Sequence, residues 1–168
     1  MLSAPRRSPL STTLARPVDA ATGLKFPDAL SASPAAAKNT APVLLVKGDA
    51  TALSVDEKAL LTARGVTSAT VFGGEDTVSA PLAADIKSVT TALTRIDGDD
   101  RFIVSANVTA ANWTAPVDTV YFATGENYPD ALAGGVLAGI TKSPVLLVCS
   151  TRRWRTCRSA ADPGRPVG

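Results

Sequence analysis

The chain has 168 residues, 45% of them hydrophobic, which is enough for one packed domain or two small ones. It contains no histidine, so Ser-His-Asp and Cys-His nucleophilic chemistry and histidine-ligated zinc are excluded. The formal net charge of +2 is made of unlike parts: residues 17–148 carry −5, residues 1–16 carry +3 and residues 149–168 carry +4, so the part able to fold is acidic and argues against a nucleic-acid surface.

Residues 1–16 are rich in Pro, Ser and Arg and follow neither hydrophobic period, so they read as a disordered or foreign segment. They lack the continuous apolar core of a signal peptide. A weak first strand stands at Val18-Asp19-Ala20, followed by the turn Thr22-Gly23. In Pro27-Asp28-Ala29-Leu30, Asp28 reads as a helix-start acid that accepts backbone N–H bonds and meets the positive end of the helix dipole. Ser33-Pro34 reads as a second start signal, so a break is expected after a first short turn.

Residues 43–46, opened by Pro42, form a fully apolar run typical of a buried parallel strand. Ser54 and Glu57 make a capping box, and the helix they open stops at Arg64-Gly65. Residues 69–72 are a strand broken by Gly73-Gly74. Ser79 starts the next helix, with Pro81 in its first turn and an apolar stripe of Leu82, Ile86, Val89 and Leu93. A further helix spans about 103–111, and residues 119–122 form a strand. The order β-α-β-α-β-α-α-β implies an α/β fold, a Rossmann-like three-layer unit with a mainly parallel sheet covered by helices. The expected core is Val43, Leu44, Leu45, Leu60, Val71, Ile86, Val120, Phe122, Leu132, Val145, Leu146 and Leu147.

The chain also repeats itself. ATGLKFPDALSASPAAAKNTAPVLLV at 21–46 and ATGENYPDALAGGVLAGITKSPVLLV at 123–148 lie 102 positions apart, align without a gap and match at thirteen of twenty-six positions, with Phe26 in register with Tyr128. One structural unit was therefore duplicated. The domain reading is a first repeat at 17–122, the truncated start of a second at 123–148, and an Arg-rich disordered tail at 149–168. Because CSTRRWRTCRSAADPGRPVG has no likeness to residues 47–74, the chain reads as a fragment of a longer repeat protein.

The motifs that suggest chemistry resolve into structural readings. The turns Gly73-Gly74 and Thr124-Gly125 carry no dinucleotide or P-loop fingerprint. Asp97, Asp99 and Asp100 in RIDGDDR suggest calcium, but the twelfth position of an EF-hand loop counted from Asp97 is Val108, so they read as partners of Arg95 and Arg101 or as a helix start. Asp28 and its repeat equivalent Asp130 lack any accompanying base or nucleophile, and no G-x-S-x-G elbow is present. Cys149 and Cys157 have neither redox nor zinc spacing. No apolar run is long enough to span a membrane.

Taken in order, A-T-G-x-x-(F/Y)-P-D-A-L, P-V-L-L-V, V-F-G-G and R-I-x-G-x-D-R-F resemble the type 2 cell-wall-binding repeats of Gram-positive bacteria, over about residues 17–148. The resemblance implies a secreted protein with tandem repeats, usually three. They would hold an attached domain on the cell wall through an anionic wall polymer or peptidoglycan. It also implies a three-layer α/β fold, a threefold repeat assembly, no cofactor and no catalysis. The family's P-x-L-L segment falls here on Pro42, Val43, Leu44 and Leu45, and on Pro144, Val145, Leu146 and Leu147, with Lys47 beside the first. Phe102 and Val104 stand where the family often has Tyr and Thr. Two other readings compete: part of an amidase-type wall hydrolase, and a non-functional gene fragment.

Overall fold

A computed structural model describes residues 16–149. The expectations of disorder for the two terminal segments therefore fall, apart from Arg16 and Cys149, outside the described residues. Arg16 itself is tied in: its backbone N–H donates to Thr67 Oγ1 at 2.9 Å and its guanidinium to the carbonyl of Arg64.

Eleven elements follow one another among the described residues: β1 (Pro17–Thr22), α1 (Phe26–Asn39), β2 (Val43–Val46), α2 (Val55–Ala63), β3 (Ser68–Phe72), α3 (Ala80–Val89), β4 (Ala92–Ile96), α4 (Arg101–Asn112), β5 (Tyr121–Thr124), α5 (Pro129–Thr141) and β6 (Val145–Val148). The first four strands make a parallel sheet in the order β2-β1-β3-β4, and β5 and β6 make a second parallel pair. Helices cover both faces of the first sheet. On one side Leu61, Leu82 and Ile86 of α2 and α3 pack on Val18, Ala20 and Val71; on the other, Ala32, Ala35, Val104 and Val108 of α1 and α4 pack on Ala21 and Phe72. This is the expected three-layer α/β unit.

Local signals account for most boundaries. Ser54 Oγ accepts the Glu57 N–H and the Glu57 carboxylate accepts the Ser54 N–H, closing the capping box of α2. Gly65 takes the positive φ of 61° that ends that helix without a Cβ clash. Ser79 caps α3 through the Leu82 N–H, ahead of Pro81.

Tertiary packing overrides four expectations. The weak first strand is the central one, β1, and is buried from Val18 to Thr22. The stripe ending at Leu93 is split, because α3 stops at Val89 and Ala92–Ile96 pairs with β3; the β-branched Thr90 and Thr91 leave the helical path there. No break follows the first turn of either repeat: α1 runs through the buried Pro34, and α5 through Gly134-Gly135. A proline inside a helix costs about 3 kcal/mol, which burial of Leu30, Ala32, Ala35 and Ala36 around it offsets. The strand expected at 119–122 is shifted to Tyr121–Thr124.

The core list also needs correction. Val71, Ile86, Val145 and Leu147 are buried, and Val43, Leu44, Val120 and Leu146 are half-buried, but Leu45, Leu60, Phe122 and Leu132 are exposed. Leu45 lies on the sheet edge, Leu60 is turned outward by α2 while Leu61 points in, and Leu132 lies on the outer side of α5. Phe122 faces away from Ala123, which is the residue of β5 that packs under α1 and α5.

The repeat is reproduced in detail. Asp19 pairs with Val43 as Tyr121 pairs with Val145. Thr40 and Lys142 end their helices in the same left-handed conformation, at φ 55° and 53°. Thr22 and Thr124 each accept the N–H two residues on, both at 3.2 Å.

Candidate functional site

The two Pro-Val-Leu-Leu segments have unequal surroundings. Along β2, Pro42 is exposed, Val43 and Leu44 are half-buried and Leu45 is 56% exposed, so the strand presents an open outer edge. Beside it lies an apolar hollow of about 510 Å³ between Pro42, Val43, Leu44, Leu60 and Val66, with Arg16 and Arg64 at its rim. Lys47 is exposed just past the strand, with its ammonium 3.9 Å from Asp49.

The second segment is covered. Pro144, Val145 and Leu147 are buried and Leu146 is half-buried. The cause is α4. Ser105, fully buried, accepts the Leu147 N–H at 2.7 Å and donates to the Val145 carbonyl at 3.4 Å, so one hydroxyl stands in for a neighbouring strand. Leu30 of α1 packs over the same pair of strands with Ala123, Ala131 and Ala138. The structure does not bring the two segments together in one surface.

A second feature sits at the carboxyl ends of the strands. A cleft of about 580 Å³ opens between the turns after β1, β3, β4 and β5, lined by Lys25, Asp28, Asp76, Thr77, Asp99 and Arg101 among others, with Glu126 from the second repeat. Its floor is Asp28. This residue is buried in the first turn of α1 and does not cap it, contrary to the sequence reading; the N-cap position is Lys25, which makes no side-chain cap bond. Asp28 instead hydrogen-bonds Thr77. Burial raises its pKa above the usual carboxylate value, and Thr77, Arg101 and Lys25 hold the rise in check. Its repeat equivalent, Asp130, is exposed. Gly73, at φ 101°, is needed here, since a Cβ on it would run into the Asp28 carboxylate and the Thr77 hydroxyl.

The RIDGDDR segment builds the far wall of the cleft. Asp100 caps α4 by accepting the N–H groups of Phe102 and Ile103, as one of the sequence readings had it. The pairing of these aspartates with Arg95 and Arg101 is replaced by backbone bonds. Arg95 donates to the carbonyls of Gly73 and Val78, and Arg101 to that of Gly125. Arg101 also lies 6.0 Å over the Phe26 ring, and Phe26 meets Tyr128 edge-to-face at 5.8 Å. The two aromatics aligned by the repeat therefore touch. No group of three or more acidic or sulfur ligands is arranged to hold a metal among the described residues. Sequence reasoning missed Lys25 and Thr77, which carry no motif. It took Gly125 as a plain turn, although the turn's recurrence after β1 and β5 was visible.

The comparisons with known proteins fit this geometry. The model of cell wall binding domain 2 (CWB2) matches residues 6–83 and 95–161. The chain belongs to the cell wall binding domain 2 family. The N-acetylmuramoyl-L-alanine amidase LytC of Bacillus subtilis (strain 168) is 30% identical over 125 residues, which cover 74% of this chain and 24% of LytC. Among solved structures, Cwp6 from Clostridium difficile superposes with a TM-score of 0.70 at 27% identity, over 80% of this chain and 21% of Cwp6. Cwp8 from the same organism gives 0.69 at 21% identity, over 83% of this chain and 24% of Cwp8, and shows the shared fold. The chain thus spans about a quarter or less of the length of each of these proteins. Among the described residues no helix is long and apolar enough to cross a membrane.

Proposed function

We propose that this CWB2 chain is a non-catalytic module that anchors a secreted protein to the bacterial cell wall through an anionic wall polymer or peptidoglycan. The observation that carries the reading is the family match over both repeats. The open edge of β2, with Pro42, Val43, Leu44 and Leu45 beside Lys47, is the proposed polymer contact. The second segment, Pro144, Val145, Leu146 and Leu147, contributes only as a covered counterpart. The module divides into a complete repeat at 17–122 and the start of another at 123–148. The amidase reading has no support in the residues of this chain, which lack histidine altogether.

A threefold repeat assembly belongs to the same proposal. Ser105 and Leu30 of the first repeat cover β6 and α5 of the second. The equivalent surfaces on the outer sides are open: the β2 edge, and the stripe Leu132, Val136 and Ile140 on α5, which is 52%, 67% and 75% exposed. A head-to-tail contact that leaves its two complementary halves open continues into a ring when the rotation closes.

The test is retention on purified cell walls of the folded chain and of Lys47→Glu. The proposal expects the chain to sediment with intact walls, less so after removal of anionic polymer, and the variant to lose much of its binding. Full retention of folded Lys47→Glu removes the β2 edge from the model. Equal binding to stripped walls removes the anionic ligand.

A further inference from the structure

The cleft at the repeat junction is not part of the β2 surface, and its position is telling. In the strand order β2-β1-β3-β4, the chain leaves β1 toward β2 on one side and meets β3 on the other. The turns after β1 and β3 therefore part company and leave a crevice at the carboxyl ends of the strands, which is where open α/β sheets receive ligands. Lys25 and Asp28 lie on the first side of this crevice, Asp76 and Thr77 on the second, and the second repeat closes it with Gly125 and Glu126. Its volume, about 580 Å³, is in the range of small-ligand sites.

The lining sets the class of ligand. Five carboxylates, those of Asp28, Asp76, Asp99, Asp100 and Glu126, face two cations, Lys25 and Arg101. Asp100 is engaged by the N-terminus of α4 and Arg101 by the Gly125 carbonyl. Asp28 is buried against Thr77 and Glu126 is engaged elsewhere, which leaves the exposed Asp76 and Asp99 as strong acceptors. Lys25 and the first-turn N–H groups of α1, which have no side-chain cap, are donors. Phe102, Pro27 and Val104 add apolar surface. An excess of carboxylates repels phosphate and carboxylate groups. It favours ligands with many hydroxyl and nitrogen donors, which make charge-assisted bonds to Asp and Glu.

We propose that the inter-repeat cleft binds amino-sugar units, so that the module grips a wall glycan by its sugar rings there while the anionic part of the polymer stays outside. This rests on the wall-binding reading and names a second contact for it.

The probes are a glucosamine tetramer and its N-acetylated form, titrated by calorimetry into the full chain and into a folded Asp76→Asn/Asp99→Asn variant. The proposal expects saturable binding of both, tighter for the free amine, and a loss of at least tenfold for the glucosamine tetramer in the double variant. Polyphosphate should not compete. Absence of saturable binding for both tetramers overturns it, as does equal binding by the double variant or displacement by polyphosphate. Retention on whole walls, measured on the same protein, separates the two readings. A chain that sediments with walls but binds neither tetramer sinks the cleft alone, and a chain that binds the tetramers but not walls sinks the anchoring role alone.

Discussion

Asp19 offers a quantitative test of the packing. It lies in the middle of β1, 2% exposed, and one of its carboxylate oxygens has no hydrogen-bond partner. Thr70 on β3 bonds the side chain, but desolvation dominates and raises the pKa from 3.8 to about 6. The folded value exceeds the unfolded one. The stability linked to this group is therefore fully present below about pH 4 and is lost as the pH rises through about 6. At about 1.4 kcal/mol per unit of displacement, the ionised form costs the fold roughly 3 kcal/mol at neutral pH and above. Asp19→Asn keeps the shape and removes the ionisation. The variant is expected to be about 1–3 kcal/mol more stable than the parent at pH 7.5, the lower figure allowing for an amide that must find its own partners. At pH 3, below the unfolded value, the two should be nearly equal. Urea unfolding followed by circular dichroism at both pH values measures this. Asp28, also raised, acts in the same direction, and Asp85, lowered first by its hydrogen bond to Lys58, acts in the opposite one. The decisive quantity is thus the difference in pH slope between parent and variant. Identical slopes would refute the assignment.

Three further outcomes follow from the geometry. Ser105→Ala should cost about 1–3 kcal/mol by stranding the buried Leu147 N–H, and should raise hydrogen exchange in β6 before it does so in β1; uniform exchange would refute the clasp. Gly73→Ala should destabilise by about 2–4 kcal/mol, from the positive φ and the collision with Asp28 and Thr77, whereas Gly74→Ala, which meets open space, should be far milder by the same unfolding assay. A double-mutant cycle of Phe26→Ala and Tyr128→Ala should give a coupling of about 0.5–1.5 kcal/mol; a coupling near zero would mean that the edge-to-face pair does not join the repeats.

Local chemistry in the sequence determined the starts of α2 and α3, the end of α2, and the repeat. Ser54 and Glu57, Ser79, and Gly65 satisfy backbone groups within a few residues of themselves, so no distant contact is needed to place them. The repeat likewise carried its register and helix ends from 21–46 to 123–148. What only the tertiary structure decided is everything that depends on who lies opposite. β1 holds Asp19 and reads as weak in sequence, yet it is central because β2 and β3 flank it. β4 is a strand because β3 offers it a ladder that a lone helical stripe cannot reveal. The same four residues, Pro-Val-Leu-Leu, form an open edge at Pro42–Leu45 and a covered one at Pro144–Leu147, because Ser105 reaches only the second copy. Asp28 and Asp130, equal in sequence, differ in the same way: Gly73 and Thr77 approach only the first, and burial, which alone shifts its pKa upward, comes from neighbours some 45 residues away.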